Sequence, residues 1–246
     1  MTLDILICSI DKGIVRIVDV LLPPQPQIRY LISYQYTDER YLELIPEQLV
    51  NRSDVLLYKY KGQGVAANRN LALERATSEY VMFADDDTRI SPDITSIIEG
   101  TFSQVPDLDI AFYQASTYTG KPLKNYPDEA FAMLQPPTTY SISTIEMVCR
   151  RTSIQGKLRF DERFGLKMHY FPVKVVETST MLKKTLIYVD AGVQRSRGAF
   201  TYYMYGQRAW WHCLLFALRS TRQGRCHFWP MMRHLAEGIR YMQRTQ

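Results

Sequence analysis

The sequence has few of the residues that cross-link a chain or bind a metal tightly. Its 246 residues include four cysteines and four histidines. The cysteines lie far apart and form no C-x-x-C pair, so neither a zinc site nor a disulfide framework is predicted; they are Cys8, Cys149, Cys213 and Cys226. With 46% hydrophobic residues, a chain of this length buries enough surface to fold without such cross-links. Disordered and fibrous classes are therefore excluded, and a reducing compartment is favoured.

Long apolar runs are also missing. No stretch of about 20 apolar residues occurs, so the sequence predicts no membrane-spanning segment. The first apolar run, Ile5–Cys8, is too short for a signal peptide, and no basic residues precede it. We therefore expect a protein that does not cross a membrane.

Positive charge is concentrated in one part of the chain. Positions 195–246 contain nine arginines and a single acid, Glu237, whereas positions 1–194 contain 21 basic and 24 acidic residues. The same segment has helical periodicity and large aromatic residues that include Trp210, Trp211, Phe228 and Trp229. Such a segment is typical of helices that lie on an anionic membrane surface. Packing against the preceding domain, or a dimer contact, is an equally good interpretation.

Nucleic-acid binding is a third way to use a basic and aromatic segment. The positive charge is confined to positions 195–246, however, and no nucleic-acid-binding motif is present. We therefore expect no nucleic-acid partner.

Short apolar runs alternate with helical patterns over the first 100 residues. A helix is predicted at Val65–Thr77, and strands are predicted at Leu3–Cys8, Ile28–Tyr34, Val55–Tyr60 and Tyr80–Ala84. This alternation is typical of βαβ units. The sequence therefore predicts an α/β fold with a doubly wound, mostly parallel sheet.

The second half of the chain reads as an extension of that sheet. A helix is predicted at Ile94–Ser103, and strands are predicted at Asp109–Thr119, Tyr140–Arg150 and Leu186–Asp190. We expect these strands to extend the sheet with mixed or antiparallel elements. The predicted organisation is one domain over residues 1–194, with halves at 1–100 and 101–194, followed by a basic, aromatic helical tail over 195–246.

Three adjacent aspartates, Asp85, Asp86 and Asp87, follow the predicted strand Tyr80–Ala84. Adjacent carboxylates repel one another unless cations or hydrogen-bond donors are near. Oxygen ligands of this kind suit Mg²⁺ or Mn²⁺, and ligands of open α/β sheets bind beyond the carboxyl ends of the strands. The triplet is therefore a candidate metal site. A solvated acidic turn that caps the next helix is the alternative.

Arg69 falls on the apolar stripe of the predicted helix Val65–Thr77. A buried arginine needs an anion, and this helix begins at the edge of the sheet where the strands end. Two interpretations remain open. Arg69 pairs with an aspartate of the triplet, or it forms a pyrophosphate site together with the helix N–H groups and the loop that contains Gly62 and Gly64.

Two segments resemble inverting bacterial glycosyltransferases of the GT-A fold, family 2-like. They are Gly64–Ala76 (GVAANRNLALERA) and Ser78–Asp87 (SEYVMFADDD), and the segment Phe160–Gly165 (FDERFG) is similar to the family's acceptor-side segment. The resemblance implies a metal-dependent, inverting transfer of a sugar from a nucleotide-sugar, expected to be a UDP-sugar. The implied acceptor is a hydroxyl of a surface glycan or lipid-linked saccharide. The implied location is the cytoplasm, at the cytosolic face of the inner membrane.

The resemblance also assigns roles to residues. Asp85 and Asp87 are expected to hold Mn²⁺ or Mg²⁺. Asp85 and Asp86 are expected to bind the nucleotide-sugar together with Arg69. Glu177 is expected to act as the general base, because it is the acid in the segment where the family places one.

This sequence departs from the family pattern at several points. The ends of the first two strands read Cys8–Asp11 and Ser33–Tyr36, so the contacts to the base are open; Gln35 is our candidate for the uracil edge. If Glu177 is not the base, Asp161 or Glu162 is the next candidate.

Two alternatives to a transferase remain open. One is a catalytically silent nucleotide-binding module, suggested by the altered strand ends and by the absence of a second acid near Glu177. The other is a sugar nucleotidyltransferase, whose glycine-rich phosphate loop is matched poorly by Asp11-Lys12-Gly13.

Overall fold

The computed structural model describes residues 1–123, 126, 131–133, 143–156, 159–160, 162 and 179–189. Three sequence predictions lie outside these residues: the helical tail at 195–246, the base candidate Glu177 and its alternative Asp161.

Within the described residues, nine strands form one sheet. The strands are β1 Leu3–Ile10, β2 Ile28–Tyr36, β3 Val55–Lys61, β4 Tyr80–Asp85, β5 Thr88–Ile90, β6 Ile110–Thr117, β7 Phe131–Met133, β8 Met147–Arg150 and β9 Ser179–Val189. The α-helices are α1 Glu47–Val50, α2 Val65–Arg75, α3 Ile94–Gln104 and α4 Arg151–Ile154. Three 3-10 helices cover Asp11–Asp19, Glu39–Leu44 and Thr144–Glu146.

The first half of the sheet is parallel and doubly wound, as predicted. Its strand order is β3-β2-β1-β4, with all three pairings parallel. The chain first builds outward from β1 to β2 and β3, and then crosses back to place β4 on the other side of β1. The strand order therefore reverses between β1 and β4, which is where open α/β sheets bind their ligands.

The second half extends the sheet with mixed pairing, also as predicted. Strand β8 pairs antiparallel with both β4 and β6, whereas β9 pairs parallel with β6. The short strands β5 and β7 pair antiparallel with β9. The architecture is thus a mostly parallel α/β sheet with an antiparallel extension.

Alternating side chains of β1 fill the hydrophobic layers on the two faces of the sheet. Leu3, Ile5 and Ile7 pack on one face with α3, and Leu6 packs on the other face with α2. All four side chains are fully buried. This is why the strand reads as a continuous apolar run rather than as an alternating one.

Two element boundaries differ from the prediction for reasons visible in the hydrogen bonds. Helix α2 ends at Arg75 rather than Thr77, because the backbone N–H of Thr77 donates to Asp4 Oδ2 at 2.7 Å. The predicted strand Tyr140–Arg150 forms a strand only from Met147. Directly before it, Ser143 and Glu146 form a capping box that favours a helical turn.

Three further differences concern the short strands of the extension. Strand β9 begins at Ser179 rather than at Leu186, and β5 and β7 were not predicted. Strands β5 and β7 contain three residues each, which is too short for a periodic pattern to be read. Among the described helices, none has the length and apolar character needed to cross a membrane.

Candidate functional site

The aspartate triplet lies at the point where the strand order reverses. Cys8 of β1 is the register partner of Asp85 of β4, so both strands end at the same edge of the sheet. Asp86 and Asp87 follow in the turn before β5. The prediction that the triplet stands at the carboxyl end of a buried strand is confirmed.

Asp86 joins the end of β4 to the segment that follows β1. Its Oδ2 accepts a hydrogen bond from Ser9 Oγ at 2.6 Å, and its Oδ1 accepts one from Arg16. A Cβ atom at Gly13 would lie 2.0 Å from Asp86 Oδ2, so only glycine fits beneath this carboxylate. Asp86 is 8% exposed, and its burial raises the pKa of its carboxyl group. These hydrogen bonds fix the Asp86 carboxylate in place, and the absence of a side chain at Gly13 leaves room for it.

Arg69 is buried beside the triplet. Its side chain is 5% exposed, and Nη2 donates to Asp85 Oδ1 at 3.0 Å. The first of the two interpretations of Arg69, an ion pair with the triplet, is therefore observed. Its buried Nη1 has no hydrogen-bond partner within the described part of the chain. The hydrogen-bonding capacity of Arg69 is thus only partly used within the described residues.

The N-terminus of α2 is tied to the end of β1. Asn68 donates from Nδ2 to the carbonyl oxygen of Ser9 at 3.0 Å. Gly64, which precedes α2, has φ +146°, a conformation that favours glycine. The chain can therefore enter the helix directly from the loop after β3, next to the triplet.

Gln35 lies at the end of β2, and its side-chain amide holds this loop. Its Oε1 accepts from the backbone N–H of Gly64 at 3.0 Å, and its Nε2 donates to the carbonyl oxygen of Gly64 at 3.1 Å. Nε2 also lies 2.5 Å from Tyr60 Oη. The side chain is buried and its amide atoms are engaged. A contact with a nucleotide base stays a prediction, and it would require these bonds to rearrange.

Asp11 follows β1 and contacts the end of β2. It was not predicted from the sequence as a site residue. It has φ +48°, and its Oδ1 accepts from the backbone N–H of Thr37 at 2.8 Å. Tyr34 Oη lies 3.0 Å from the carbonyl oxygen of Asp11 and 2.8 Å from that of Tyr41. The ends of β1 and β2 are therefore locked together. The available sequence signal was its position three residues after the predicted strand Leu3–Cys8.

Two described residues of the segment 160–165, Phe160 and Glu162, contact α2. Asn70 Nδ2 donates to the carbonyl oxygen of Phe160 at 3.0 Å and to Glu162 Oε1 at 2.7 Å. Arg159 Nη2 donates to the same Glu162 oxygen at 2.8 Å. Two donors therefore engage the Oε1 of Glu162, which makes it a weaker candidate for a general base. Asn70 had not been predicted as a site residue, although it follows Arg69 directly.

The charges at the site suit a dication only together with an anionic ligand. The three aspartates carry three negative charges, and Arg16 and Arg69 return two positive charges. Within the described residues, no group of three His, Cys, Asp or Glu side chains forms a ready metal cage. Mg²⁺ and Mn²⁺ commonly use one or two protein carboxylates and complete their shell with water and phosphate oxygens. Asp85 and Asp87 fit that requirement.

Comparison with known proteins shows the fold and a similarity to one family. A model of the family described as glycosyl transferase family 2 matches residues 40–158, which contain α2 and the triplet. Among solved structures, S. aureus TarS 1-349 is similar with a TM-score of 0.57 at 13% identity, over 98% of this chain and 81% of that one.

Two further TarS structures agree with this similarity. The complex of TarS 1-349 with UDP-GlcNAc gives a TM-score of 0.58 at 14% identity, over 98% of this chain and 72% of that one. A longer S. aureus TarS chain gives 0.60 at 13% identity, again over 98% of this chain, which spans 49% of the TarS chain. No curated protein sequence matches this chain.

Proposed function

We propose that this chain, which has a GT-A fold and matches the glycosyl transferase family 2 model over residues 40–158, is a glycosyltransferase. It would transfer a sugar from a UDP-sugar to a hydroxyl group of a saccharide. The observation that carries the proposal is the pairing of Arg69 with Asp85 at the reversal of strand order. This pairing puts a buried cation beside the carboxylate triplet.

The donor is proposed to be a nucleoside diphosphate sugar. TarS, which shares the fold, has been crystallised with UDP-GlcNAc and with UDP. In this chain, Arg69 Nη1 is a buried donor that faces no acceptor in the described residues. A diphosphate oxygen would satisfy this donor, and the charge-assisted bond would be stronger than one between neutral groups.

Asp85 and Asp87 would hold the divalent metal, Mn²⁺ or Mg²⁺. The metal would neutralise charge on the diphosphate as that group leaves. Asp86 contributes differently, since its oxygens accept from Ser9 and Arg16 and keep the end of β4 against the segment after β1.

The proposed reaction is inverting. The acceptor oxygen bonds to the anomeric carbon while the bond between that carbon and the diphosphate oxygen breaks, and the electron pair of that bond leaves with the diphosphate. A general base takes the proton of the acceptor hydroxyl. Arg69 stabilises the charge that grows on the leaving group. Glu177 remains our candidate for the base.

The acceptor is proposed to be a surface glycan or a lipid-linked saccharide, reached at the cytosolic face of the membrane. The support is the sequence of positions 195–246, where nine arginines accompany the aromatic residues. We expect the chain to sediment with anionic liposomes at low salt and to be released at high salt. Equal recovery in the supernatant with and without liposomes would count against this part of the proposal.

Calorimetric titration with UDP and GDP, with and without Mn²⁺, tests the donor site. We expect UDP binding that requires the metal and disappears in Asp87→Asn. GDP is the matched control for the base, because it has the same diphosphate. If neither nucleotide binds in the presence of metal, the triplet is a structural acidic turn and the proposal fails. If UDP binds but a UDP-sugar is neither transferred nor slowly hydrolysed, the chain is a silent binding module.

A further inference from the structure

Two neighbouring residues of α2 contact the two sides of the site. Arg69 reaches Asp85 at the end of β4. Asn70, the next residue, reaches the acceptor-side segment that contains Phe160 and Glu162. Both residues of α2 are buried, at 5% and 3% exposure.

The amide of Asn70 makes a set of bonds that few side chains can reproduce. Its Oδ1 accepts from the backbone N–H of Phe160 at 2.8 Å, and its Nδ2 donates to the carbonyl oxygen of the same residue at 3.0 Å. Nδ2 also donates to Glu162 Oε1 at 2.7 Å. An adjacent donor and acceptor are both required, which only an amide side chain of this length supplies. Asn70 therefore fixes the backbone of Phe160 against α2.

Phe160 in turn lies against the Arg69 guanidinium. The guanidinium carbon Cζ of Arg69 is 5.5 Å from the centroid of the Phe160 ring. The ring is 1% exposed and packs edge-on against Phe83, with centroids 5.4 Å apart and planes at 79°. Since Phe83 belongs to β4, the ring is held between the sheet and Arg69. A guanidinium next to an aromatic ring is restricted in rotation and is attracted to the ring face.

These contacts form a chain from Asn70 through Phe160 to Arg69. The ring limits how the guanidinium can turn, Asp85 accepts from Nη2, and the buried Nη1 has no hydrogen-bond partner within the described residues. We propose that Asn70 is a positioning residue that sets the orientation of Arg69 by holding Phe160. The proposal rests on the proposed function and deepens it, because donor binding then depends on the docking of the acceptor-side segment onto α2.

The proposal can be tested without any ligand. In ¹⁵N-arginine-labelled protein, a fixed guanidinium gives separate Nη signals at low temperature, whereas a freely rotating one gives averaged signals. The Arg69 signals are assigned by their loss in Arg69→Lys. We expect separate signals in the native chain and averaged signals in Asn70→Ala. Separate signals that persist in Asn70→Ala, or averaged signals in the native chain, would overturn the proposal.

A second variant covers the case in which Asn70→Ala does not fold. Phe160→Leu keeps an apolar side chain against Phe83 but removes the aromatic ring beside Arg69. We expect averaged Arg69 signals in this variant also. Unchanged signals in Phe160→Leu would overturn the proposal by themselves.

Donor affinity provides the functional readout. We expect Asn70→Ala to weaken UDP binding in the presence of Mn²⁺ about tenfold and to raise the KM for donor, since Arg69 is no longer held in place. The matched control is Glu74→Gln, also on α2, which loses an exposed ion pair with Arg159 and leaves Asn70 and Phe160 untouched. We expect UDP binding within about twofold of native for this control.

The two readouts separate this proposal from the proposed function. If the native chain binds no UDP, the proposed function fails, and the Arg69 signals alone decide the role of Asn70. If UDP binds equally well to the native chain and to a folded Asn70→Ala variant, the positioning role is overturned while the proposed function stands.

Discussion

The two ends of β1 both place carboxylates among arginines, but they do so in different ways. At its start, Asp4 is fully buried and accepts from Arg29 Nε at 2.9 Å and from Ser78 Oγ at 2.7 Å. The backbone N–H groups of Thr77 and Ser78 donate to it as well, at 2.7 and 2.8 Å. One negative charge there is matched by one arginine and by fixed neutral donors.

At the other end of β1 the balance is different. Arg16 contacts Asp86 and Arg69 contacts Asp85, and these two arginines and the three adjacent aspartates together carry one net negative charge. A carboxylate saturated by donors of the protein is a structural element. Three adjacent carboxylates at the carboxyl end of a strand are suited to a ligand that brings positive charge. The comparison therefore separates the structural carboxylate from the candidate functional ones.

The largest effect is expected from Asp87→Asn. If Asp87 holds the metal, sugar transfer should fall about a thousandfold. The free energy of unfolding should fall by less than about 1 kcal/mol, because the loss of the Asp87 charge also relieves repulsion among three adjacent carboxylates. Steady-state transfer rates and urea unfolding of the same preparation measure both quantities. A variant with native transfer rates would show that Asp87 does not bind the metal.

Asp4→Asn is expected to show the opposite pattern. The amide cannot accept from all the donors that surround Asp4, and Arg29 loses its anion. We expect the free energy of unfolding to fall by about 3 kcal/mol. UDP affinity, measured below the onset of unfolding, should be unchanged. If UDP affinity falls in step with stability, the two ends of β1 do not have separate roles.

Gln35→Ala tests a residue that has structural hydrogen bonds and is also a candidate for binding the base. The substitution leaves the N–H and carbonyl groups of Gly64 without their buried partners, so we expect a loss of about 2 kcal/mol in the free energy of unfolding. Gln35→Glu is the matched variant, because it retains the acceptor for the Gly64 N–H and loses the donor. A fall in UDP affinity of Gln35→Glu, with unfolding close to native, would support the predicted contact with the base instead.

The parallel half of the sheet was predictable because its signals are local. The strands β1 to β4 are apolar runs bounded by polar loops, and the triplet follows one of them directly in the sequence. The burial of Arg69 was predicted because, at the helical period, it falls on the apolar stripe of the helix. Each of these features is read within about a dozen residues.

The rest depends on contacts between residues that are distant in the sequence. The end of α2 at Arg75 is set by Asp4, and the role of Gln35 is set by Gly64, across 29 residues. The link from Asn70 to Phe160 spans 90 residues. No periodic pattern carries such information, so these roles emerge only from the folded chain.

The smallest effect is expected from Tyr34→Phe, near the end of β2. At neutral pH the variant loses the hydrogen bonding of one hydroxyl group, for an expected cost of about 1 kcal/mol.

Burial, with the nearby charge of Asp11, raises the pKa of Tyr34 to about 12. An unfolded tyrosine ionises near pH 10. Tyr34 therefore contributes its full stability below about pH 10 and loses it as the pH rises towards 12. The difference in unfolding free energy between the native chain and Tyr34→Phe should shrink over that range. A difference that stays constant from pH 8 to pH 12 would show that Tyr34 ionises as it does in the unfolded chain, and that the lock between β1 and β2 does not depend on its protonated hydroxyl.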